Sequence, residues 1–231
     1  MSDSNPQQVL LDILHGVEKF NKVIFPKQKE LFGKLAEGQS PKALFITCAD
    51  SRISPELLTD QPPGNLFVLR NIGNIIPAYG SLLGGVTSAI EYAVYAIKVS
   101  TIIVCGHSNC GAMDGLMHPK KLEFMPAVKN WLQYAETAYA ITKARIGTDL
   151  GPSHVRNLTE ANVLLQLNHL RTYPAVAAAL ARRQMALQGW YYDIPNGTVR
   201  VLDENTQKDM SIEQAIKRLN KYVKEIDEPN F

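Results

Sequence analysis

The stretch ALFITCADSR, residues 43–52, runs from apolar and β-branched side chains directly into a thiol, a carboxylate and a guanidinium. A second stretch, TIIVCGHSNCG at residues 101–111, repeats this arrangement with an imidazole and a further thiol. Apolar runs of this length and composition predict buried β-strands. The polar groups of both stretches are therefore expected where a buried strand ends.

The rest of the chain predicts alternating strands and helices around these two segments. A Pro-Pro-Gly-Asn turn precedes LFVLR, residues 66–70, which predicts a strand. A Pro-Asn-Gly turn predicts a hairpin between strands at 189–194 and 198–202. Apolar side chains at helical intervals predict helices at about 8–35 (with Pro26 opening a second helix), 84–98, 126–145, 158–181 and from Ser211 to about 226.

These elements predict an α/β fold with a mostly parallel central sheet flanked by helices, an N-terminal helical arm and an edge hairpin. We expect one domain over residues 1–231, in which residues 1–38 form the arm. Residues 203–231 form a C-terminal tail without an assigned role. The Ser211-x-x-Gln214 pattern predicts a capping box at the start of the last helix.

Composition limits the partners and the compartment. The chain has 231 residues, 45% of them hydrophobic, and a formal net charge of +2, which predicts no binding to nucleic acid or to a membrane surface. The N-terminus lacks the pattern of a secretory signal. Three cysteines do not make a disulfide framework and are typical of a reducing compartment, so we expect a cytoplasmic protein.

Cys48, His107 and Cys110 are the candidate metal ligands. Strands joined by helical crossovers are parallel, and ligand sites lie beyond their carboxyl ends near the point where strand order reverses. The His-x-x-Cys spacing lets one turn present two ligands, and Gly106 and Gly111 are expected to permit a strained backbone there. Two thiols and one imidazole suit zinc, and three protein ligands leave one position for water.

The remaining cysteine and histidines have plainer interpretations. Cys105 lies inside an apolar run and is expected to be a small core residue. The other histidines have no partners at ligand spacing and are expected to be surface or core residues; they are His15, His118, His154 and His169.

Asp50 and Arg52 are the candidate catalytic pair. They could form a plain solvated ion pair. Beside a metal, Asp50 either fills the fourth coordination position or is held away by Arg52 and accepts a hydrogen bond from bound water. The first state is closed and the second is competent for catalysis.

The strings CADSR, LFVLRNIGN, IEYAV and IIVCGHSNCGAM resemble the β-class carbonic anhydrases, and the similarity extends from about Phe20 through the strand at 189–190. The resemblance implies an enzyme with one zinc ion per chain that interconverts carbon dioxide and bicarbonate. It implies Cys48, His107 and Cys110 as ligands and Asp50 and Arg52 as the catalytic dyad. It also implies a homodimer or a higher homo-oligomer.

The segments 38–41 and 77–80 are similar to the plant-type and bacterial cyanate-operon-type branch. This resemblance implies that Gln39 hydrogen-bonds substrate from across a dimer interface and that the backbone N–H of Gly111 contacts a substrate oxygen. It implies a small pocket shaped by Phe67, Ile72 and Tyr92, although Phe67 and Ile72 could equally be core residues.

The expected reaction is attack of zinc-bound hydroxide on carbon dioxide while the dyad orients the zinc water. Because two thiolates weaken the acidification of that water, we expect a preference for neutral to alkaline pH. The residues alone leave three alternative functions of the site open. The zinc site could act on a linear substrate such as carbon disulfide or carbonyl sulfide, zinc could be structural and closed by Asp50, or Cys110 could be a nucleophile with His107 as its base.

Overall fold

The computed structural model describes residues 5–147 and 151–227. The chain divides into two compact units, one ending at Gln39 and one beginning at Ser40. The organisation as a single domain with a helical arm stays a prediction. In the described part of the chain, no helix has the length and apolar character needed to cross a membrane.

The N-terminal unit is helical, as its periodicity predicts. Three phenylalanine rings, those of Phe20, Phe25 and Phe32, pack together with centroids 5.4–6.1 Å apart. Gly38, with φ of +154°, follows the last helix. The helices are α1 (Pro6–Lys19), a π-helical segment (Phe20–Ile24), α2 (Phe25–Lys27, with Pro26 in its first turn) and α3 (Lys29–Ala36).

The second unit contains a six-stranded sheet in the order β2-β1-β3-β4-β5-β6. The first four strands of this order pair in parallel, and β5 and β6 pair antiparallel. Strand order therefore reverses at β1, which has β2 on one side and β3 on the other. The strands are β1 (Ala43–Cys48), β2 (Leu66–Asn71), β3 (Thr101–His107), β4 (Ala186–Asp193), β5 (Thr198–Leu202) and β6 (Asp209–Ser211).

The helices of the second unit cover the sheet and build the layer beside its carboxyl edge. They are α4 (Pro55–Thr59), α5 (Gly85–Glu91, continued by a π-helical segment, Tyr92–Ile97), α6 (Gly111–Met117), α7 (Pro126–Leu132), α8 (Glu136–Ile146), α9 (Val155–Arg171), α10 (Pro174–Ala181) and α11 (Ile212–Asp227). The predicted α/β fold with a mostly parallel sheet is confirmed.

Three details differ from the sequence-based prediction. The helix expected over 126–145 is interrupted by a 3₁₀ turn, Gln133–Ala135, between α7 and α8. The helix expected over 158–181 is two helices, α9 and α10, because Pro174 has no N–H to continue the α9 hydrogen bonds and begins a new helix. The predicted hairpin is formed by β4 and β5, but β6 lies outside it and is the true edge strand. Three residues are too few to give β6 an alternation that sequence reading could detect.

Both faces of the central strands are buried. Leu44 and Ile46 of β1 pack with Val163 and Leu167 of α9 on one face. Phe45 lies on the opposite face in a T-shaped contact with Trp190. The expectation that Cys105 is a core residue is confirmed: it is fully buried beside Phe45, and burial raises the pKa of its thiol to about 12.

Helix α9 lies unusually close to β3 at Gly106. A Cβ atom on Gly106 would lie 2.7 Å from Thr159 Cγ2 and 2.8 Å from Val163 Cγ2. Both methyl groups belong to short, β-branched side chains that have little freedom to move. The absence of a side chain at this position therefore sets the distance between helix and sheet.

We predict that Gly106→Ala lowers the free energy of unfolding by about 1–3 kcal/mol, because the added methyl group overpacks this contact. Urea unfolding followed by circular dichroism measures the change. Gly84→Ala is the control, because a Cβ there meets no atom within 4 Å. Equal stability of the two variants would contradict this account of the packing.

The C-terminal tail is attached through Asp203. Its buried carboxylate accepts hydrogen bonds from the N–H groups of Asn205 and Thr206 and pairs with Arg218 of α11. The Thr206 N–H, followed by Arg218, holds the pKa of Asp203 below its ordinary value. The predicted capping box is also confirmed, because Ser211 and Gln214 exchange side-chain to backbone hydrogen bonds of 2.9 and 3.3 Å.

We predict that Asp203→Asn lowers the free energy of unfolding at pH 7 by about 1–3 kcal/mol, because it removes a charge-assisted network. Since the pKa of Asp203 is depressed on folding, its contribution is present above about pH 4 and is lost as the pH falls through the folded-state pKa. The difference between parent and variant should therefore shrink in acid. Urea unfolding at pH 7 and below pH 4 measures it, and a difference independent of pH would contradict the assignment.

Candidate metal centre

Three buried ligand-type side chains converge at the switch point of the sheet. Cys48 ends β1, His107 ends the neighbouring β3, and Cys110 lies immediately before α6. One ligand atom from each of the three lies within 4.8 Å of the others. Parallel pairing of β1 with β3 brings the two strand ends together, as the sequence predicts.

The imidazole of His107 is oriented for a metal. Its Nδ1 lies 2.9 Å from the carbonyl oxygen of Ser108, and because a carbonyl only accepts, Nδ1 carries the proton. The other nitrogen, Nε2, is buried and has no hydrogen-bond partner among the described residues. A buried nitrogen lone pair left free in this way fits a metal ligand.

The two thiols influence each other. The pKa of Cys48 is lowered, chiefly because the Cys110 thiol donates a hydrogen bond to the Cys48 thiolate, while the pKa of Cys110 is raised by the same interaction and by burial. His107 Nε2 makes no hydrogen bond to Cys110 among the described residues, which disfavours the alternative in which His107 activates Cys110 as a nucleophile. The remaining interpretation is that both sulfur atoms are ligands of one metal ion.

Asp50 and Arg52 form a two-pronged ion pair beside the ligands. Arg52 Nε lies 2.9 Å from Asp50 Oδ1, and Arg52 Nη2 lies 2.7 Å from Asp50 Oδ2. The hydrogen bond from Arg52 holds the pKa of Asp50 well below its usual range. Asp50 Oδ2 also lies 3.8 Å from His107 Nε2, so the carboxylate borders the space that the ligands enclose.

Arg70 is a residue that the sequence analysis missed. It extends from β2, where its Nε donates to the carbonyl of Cys48 at 3.2 Å and its Nη2 donates to the carbonyl of Asp50 at 2.6 Å. Its partners are backbone carbonyls, which every residue has, so no sequence motif marks the interaction. Arg70 thereby fixes the turn that carries both Cys48 and Asp50.

The backbone strain at the site lies elsewhere than predicted. Gly106 and Gly111 are not in the left-handed region, whereas Asn109 (φ +53°) and Gly73 (φ +77°) are among the residues with positive φ. Gly106 is required by the approach of α9, as described above. Gly73 follows β2, and its N–H donates to the Cys48 sulfur at 3.4 Å.

The residues predicted to shape a substrate pocket fall into two groups. Phe67 packs against the core and faces Tyr92, with ring centroids 6.1 Å apart. Ile72 lines an apolar cavity of about 360 Å³ next to the dyad turn, together with Ala49, Asn71, Ala127, Val128 and Trp131. Trp131 was missed by the sequence analysis, and its indole N–H donates to the carbonyl of Ile72 at 2.8 Å.

The other predicted residues are placed as follows. Gly111 is exposed at the first position of α6, and Gln39 is exposed at the end of the N-terminal unit. Their contacts with substrate stay predictions. His118 lies beside Asp114, and His169 is half-buried on α9 with its Nδ1 against the carbonyl of Ile76.

The fold and the site together are those of an α/β protein with a mostly parallel sheet. Two cysteines and one histidine meet at the switch point of that sheet, and these side chains suit zinc. The sequence model of the carbonic anhydrase family matches residues 43–199. A carbonic anhydrase of Pseudomonas aeruginosa is 45% identical over 201 residues, which are 87% of this chain and 91% of that protein.

Two solved structures show the same similarity. The structure of the β-carbonic anhydrase CcaA matches with a TM-score of 0.84 and 39% identity, covering 87% of this chain and 98% of that one. A tetrameric β-carbonic anhydrase of Sordaria macrospora matches with a TM-score of 0.76 and 28% identity, covering 84% and 97%. The chain belongs to the β-carbonic anhydrase family, whose members are zinc lyases of the carbonate dehydratase type.

We predict that Arg70→Gln lowers zinc affinity roughly tenfold, because the turn that carries Cys48 loses two hydrogen bonds that hold its carbonyls. Competition with a chromophoric chelator measures the affinity. Arg182→Gln is the control, because the exposed side chain of Arg182 donates a hydrogen bond to Gln184, away from the candidate site. Unchanged zinc affinity in the Arg70 variant would show that the turn keeps its shape unaided.

Proposed function

We propose that this chain catalyses the reversible hydration of carbon dioxide at a zinc ion held by Cys48, His107 and Cys110, with Asp50 and Arg52 as the catalytic dyad. The observation that carries the proposal is the convergence of the three buried ligand atoms beside the paired carboxylate of Asp50. Zinc in such a site acidifies a water molecule and so supplies a nucleophile near neutral pH. Because two of the ligands are thiolates, we expect activity to rise from neutral to alkaline pH.

Asp50 acts in this mechanism as a hydrogen-bond acceptor for the reacting water. Arg52 occupies both carboxylate oxygens from the solvent side and keeps the group ionised. A carboxylate held in this way orients a proton donor without becoming a ligand itself. The arrangement supports the competent state over the closed state in which Asp50 completes a structural site.

Carbon dioxide is small and apolar until it reacts, and its oxygens gain negative charge as bicarbonate forms. The cavity beside Ile72, Val128 and Trp131 offers apolar surface next to the dyad turn and supports entry of the substrate there. The proposed acceptors of the developing charge are the N–H of Gly111 and the side chain of Gln39, by the family resemblance.

We propose a homodimer or a higher homo-oligomer as the working state. The Sordaria macrospora relative is tetrameric, and the second unit exposes large apolar side chains, among them Leu57, Leu83 and Phe124. A role of Gln39 across a dimer interface and a cytoplasmic location remain part of this proposal. The formal net charge is only +2, and acidic and basic residues are mixed along the chain. We therefore propose neither nucleic acid nor a membrane as a partner.

We predict that metal-quantified protein with one zinc per chain hydrates carbon dioxide in a stopped-flow assay, and that Cys48→Ala abolishes both zinc and turnover. Asp50→Asn should retain zinc and lower kcat by about a hundredfold or more, because the water loses its proton acceptor. Asp60→Asn, which removes an exposed carboxylate at the end of α4, is the matched control and should keep full activity.

The outcomes separate the alternatives. Stoichiometric zinc without turnover in the parent chain would contradict the proposal and favour a structural metal. Full activity of Asp50→Asn would leave the zinc enzyme standing and remove the dyad from its mechanism. Turnover of carbonyl sulfide or carbon disulfide without hydration of carbon dioxide would replace the proposed substrate.

A further inference from the structure

A row of buried polar side chains on α9 faces the segment that follows β2. Asn162, Gln166 and His169 lie four and three positions apart and so share one face of the helix. Asn162 and Gln166 are completely buried. Burying two uncharged amides is costly unless their hydrogen bonds are made, so their partners identify what the row holds.

The row binds backbone atoms of the segment after β2. Asn162 Nδ2 donates to the carbonyl of Gly73 at 3.0 Å, and the N–H of Ile76 donates to Gln166 Oε1 at 2.7 Å. Gln166 Nε2 in turn donates to Asn162 Oδ1 at 2.8 Å. This last bond fixes both amide orientations, so that Asn162 presents its NH2 group to Gly73 and no other orientation satisfies all partners.

Trp131 holds the preceding peptide group from another direction. Its indole N–H donates to the carbonyl of Ile72 at 2.8 Å. That carbonyl and the N–H of Gly73 belong to one planar peptide group and point in opposite directions. When Trp131 holds the carbonyl, the N–H of Gly73 is directed away from the indole, and it donates to Cys48 Sγ at 3.4 Å.

Gly73 itself has little room. Its φ is +77°, and a Cβ there would lie 3.1 Å from Ala112 Cβ and 3.2 Å from Met113 Cε. The residue therefore sits against α6, the helix that begins next to Cys110. Asn162 and Trp131 donate hydrogen bonds to the two peptide groups on either side of Gly73.

We propose that Asn162 and Trp131 are positioning residues that direct the N–H of Gly73 onto the sulfur of the metal ligand Cys48. The inference rests on the proposed metal site and adds to it a hydrogen bond that tunes one thiolate. Hydrogen bonds to ligand atoms fix their orientation and change their donor strength, and losing such a bond costs about 10–100-fold in metal affinity. Gln166 supports the same device by orienting Asn162.

The test uses two independent variants of the full chain. Asn162→Leu keeps the number and branching of the side-chain heavy atoms and removes the hydrogen bond to the Gly73 carbonyl. Trp131→Phe keeps an aromatic ring and removes the hydrogen bond to the Ile72 carbonyl. Tyr173→Phe is the matched control, because its hydroxyl bonds to the carbonyl of Pro77 in the same segment, farther along the chain from Gly73. Far-ultraviolet circular dichroism and cooperative unfolding in urea check that each variant is folded.

Two readouts that need bound metal, but no turnover, decide the question. Zinc release to a chelator should accelerate about tenfold in Asn162→Leu and in Trp131→Phe. In cobalt-substituted protein, the thiolate-to-cobalt charge-transfer band should move to longer wavelength in both variants, because a thiolate without its hydrogen bond gives up electrons more readily. Tyr173→Phe should change neither readout.

Unchanged release and an unchanged band in folded Trp131→Phe would overturn the inference, as would equal changes in Tyr173→Phe. If Asn162→Leu does not fold, the Trp131 variant decides alone. Metal binding by a parent chain that does not hydrate carbon dioxide would overturn the proposed function, and the two readouts would still decide the role of Gly73. A parent chain that binds neither zinc nor cobalt would overturn both.

Discussion

The parallel pairing of β1 with β3 is the constraint on which the rest of the structure depends. Cys48 and His107 are far apart in sequence, and only the register that pairs Thr47 with Cys105 makes their strand ends neighbours. The register is held because these strands are buried on both faces. A slip of one residue would move Leu44 to the face that Phe45 occupies, and Phe45 to the face of Leu44. The convergence of Cys48, His107 and Cys110 is thus a consequence of how the central strands of the sheet pair.

Helix α9 serves both the core and the site. Its apolar side chains, including Val163, meet β3 where Gly106 leaves no side chain, and its amides reach the backbone beside Cys48. A helix that packs this closely cannot shift without disturbing both its contact with β3 and its hydrogen bonds to the backbone beside Cys48. The stability of the sheet and the placement of Cys48 are therefore coupled through α9. For a substitution on α9, both the stability and the metal affinity need to be measured.

The sequence predicts the fold and the convergence of two thiols and one imidazole well, because both follow from local patterns. Apolar runs mark β1 and β3, and Cys48, His107 and Cys110 are chemically distinctive at their ends. The supporting residues are different: Arg70 and Asn162 bind backbone carbonyls, whose positions depend on tertiary packing and leave no motif. The same limit explains the incorrect expectation for Gly106, where a glycine needed for close packing was taken as one needed for a strained turn. Gly111 has neither a positive φ nor a neighbour that a Cβ would meet.

The distance in sequence between the two strand ends also sets the order of events as the chain folds. A site built from adjacent loop residues can capture its metal from an unfolded chain, as small zinc modules do. Here Cys48 meets His107 only when β1 and β3 have paired. In the proposed zinc enzyme, the packing of the apoprotein's own core would have to establish this non-local pairing, and zinc would bind in a cleft that is already formed.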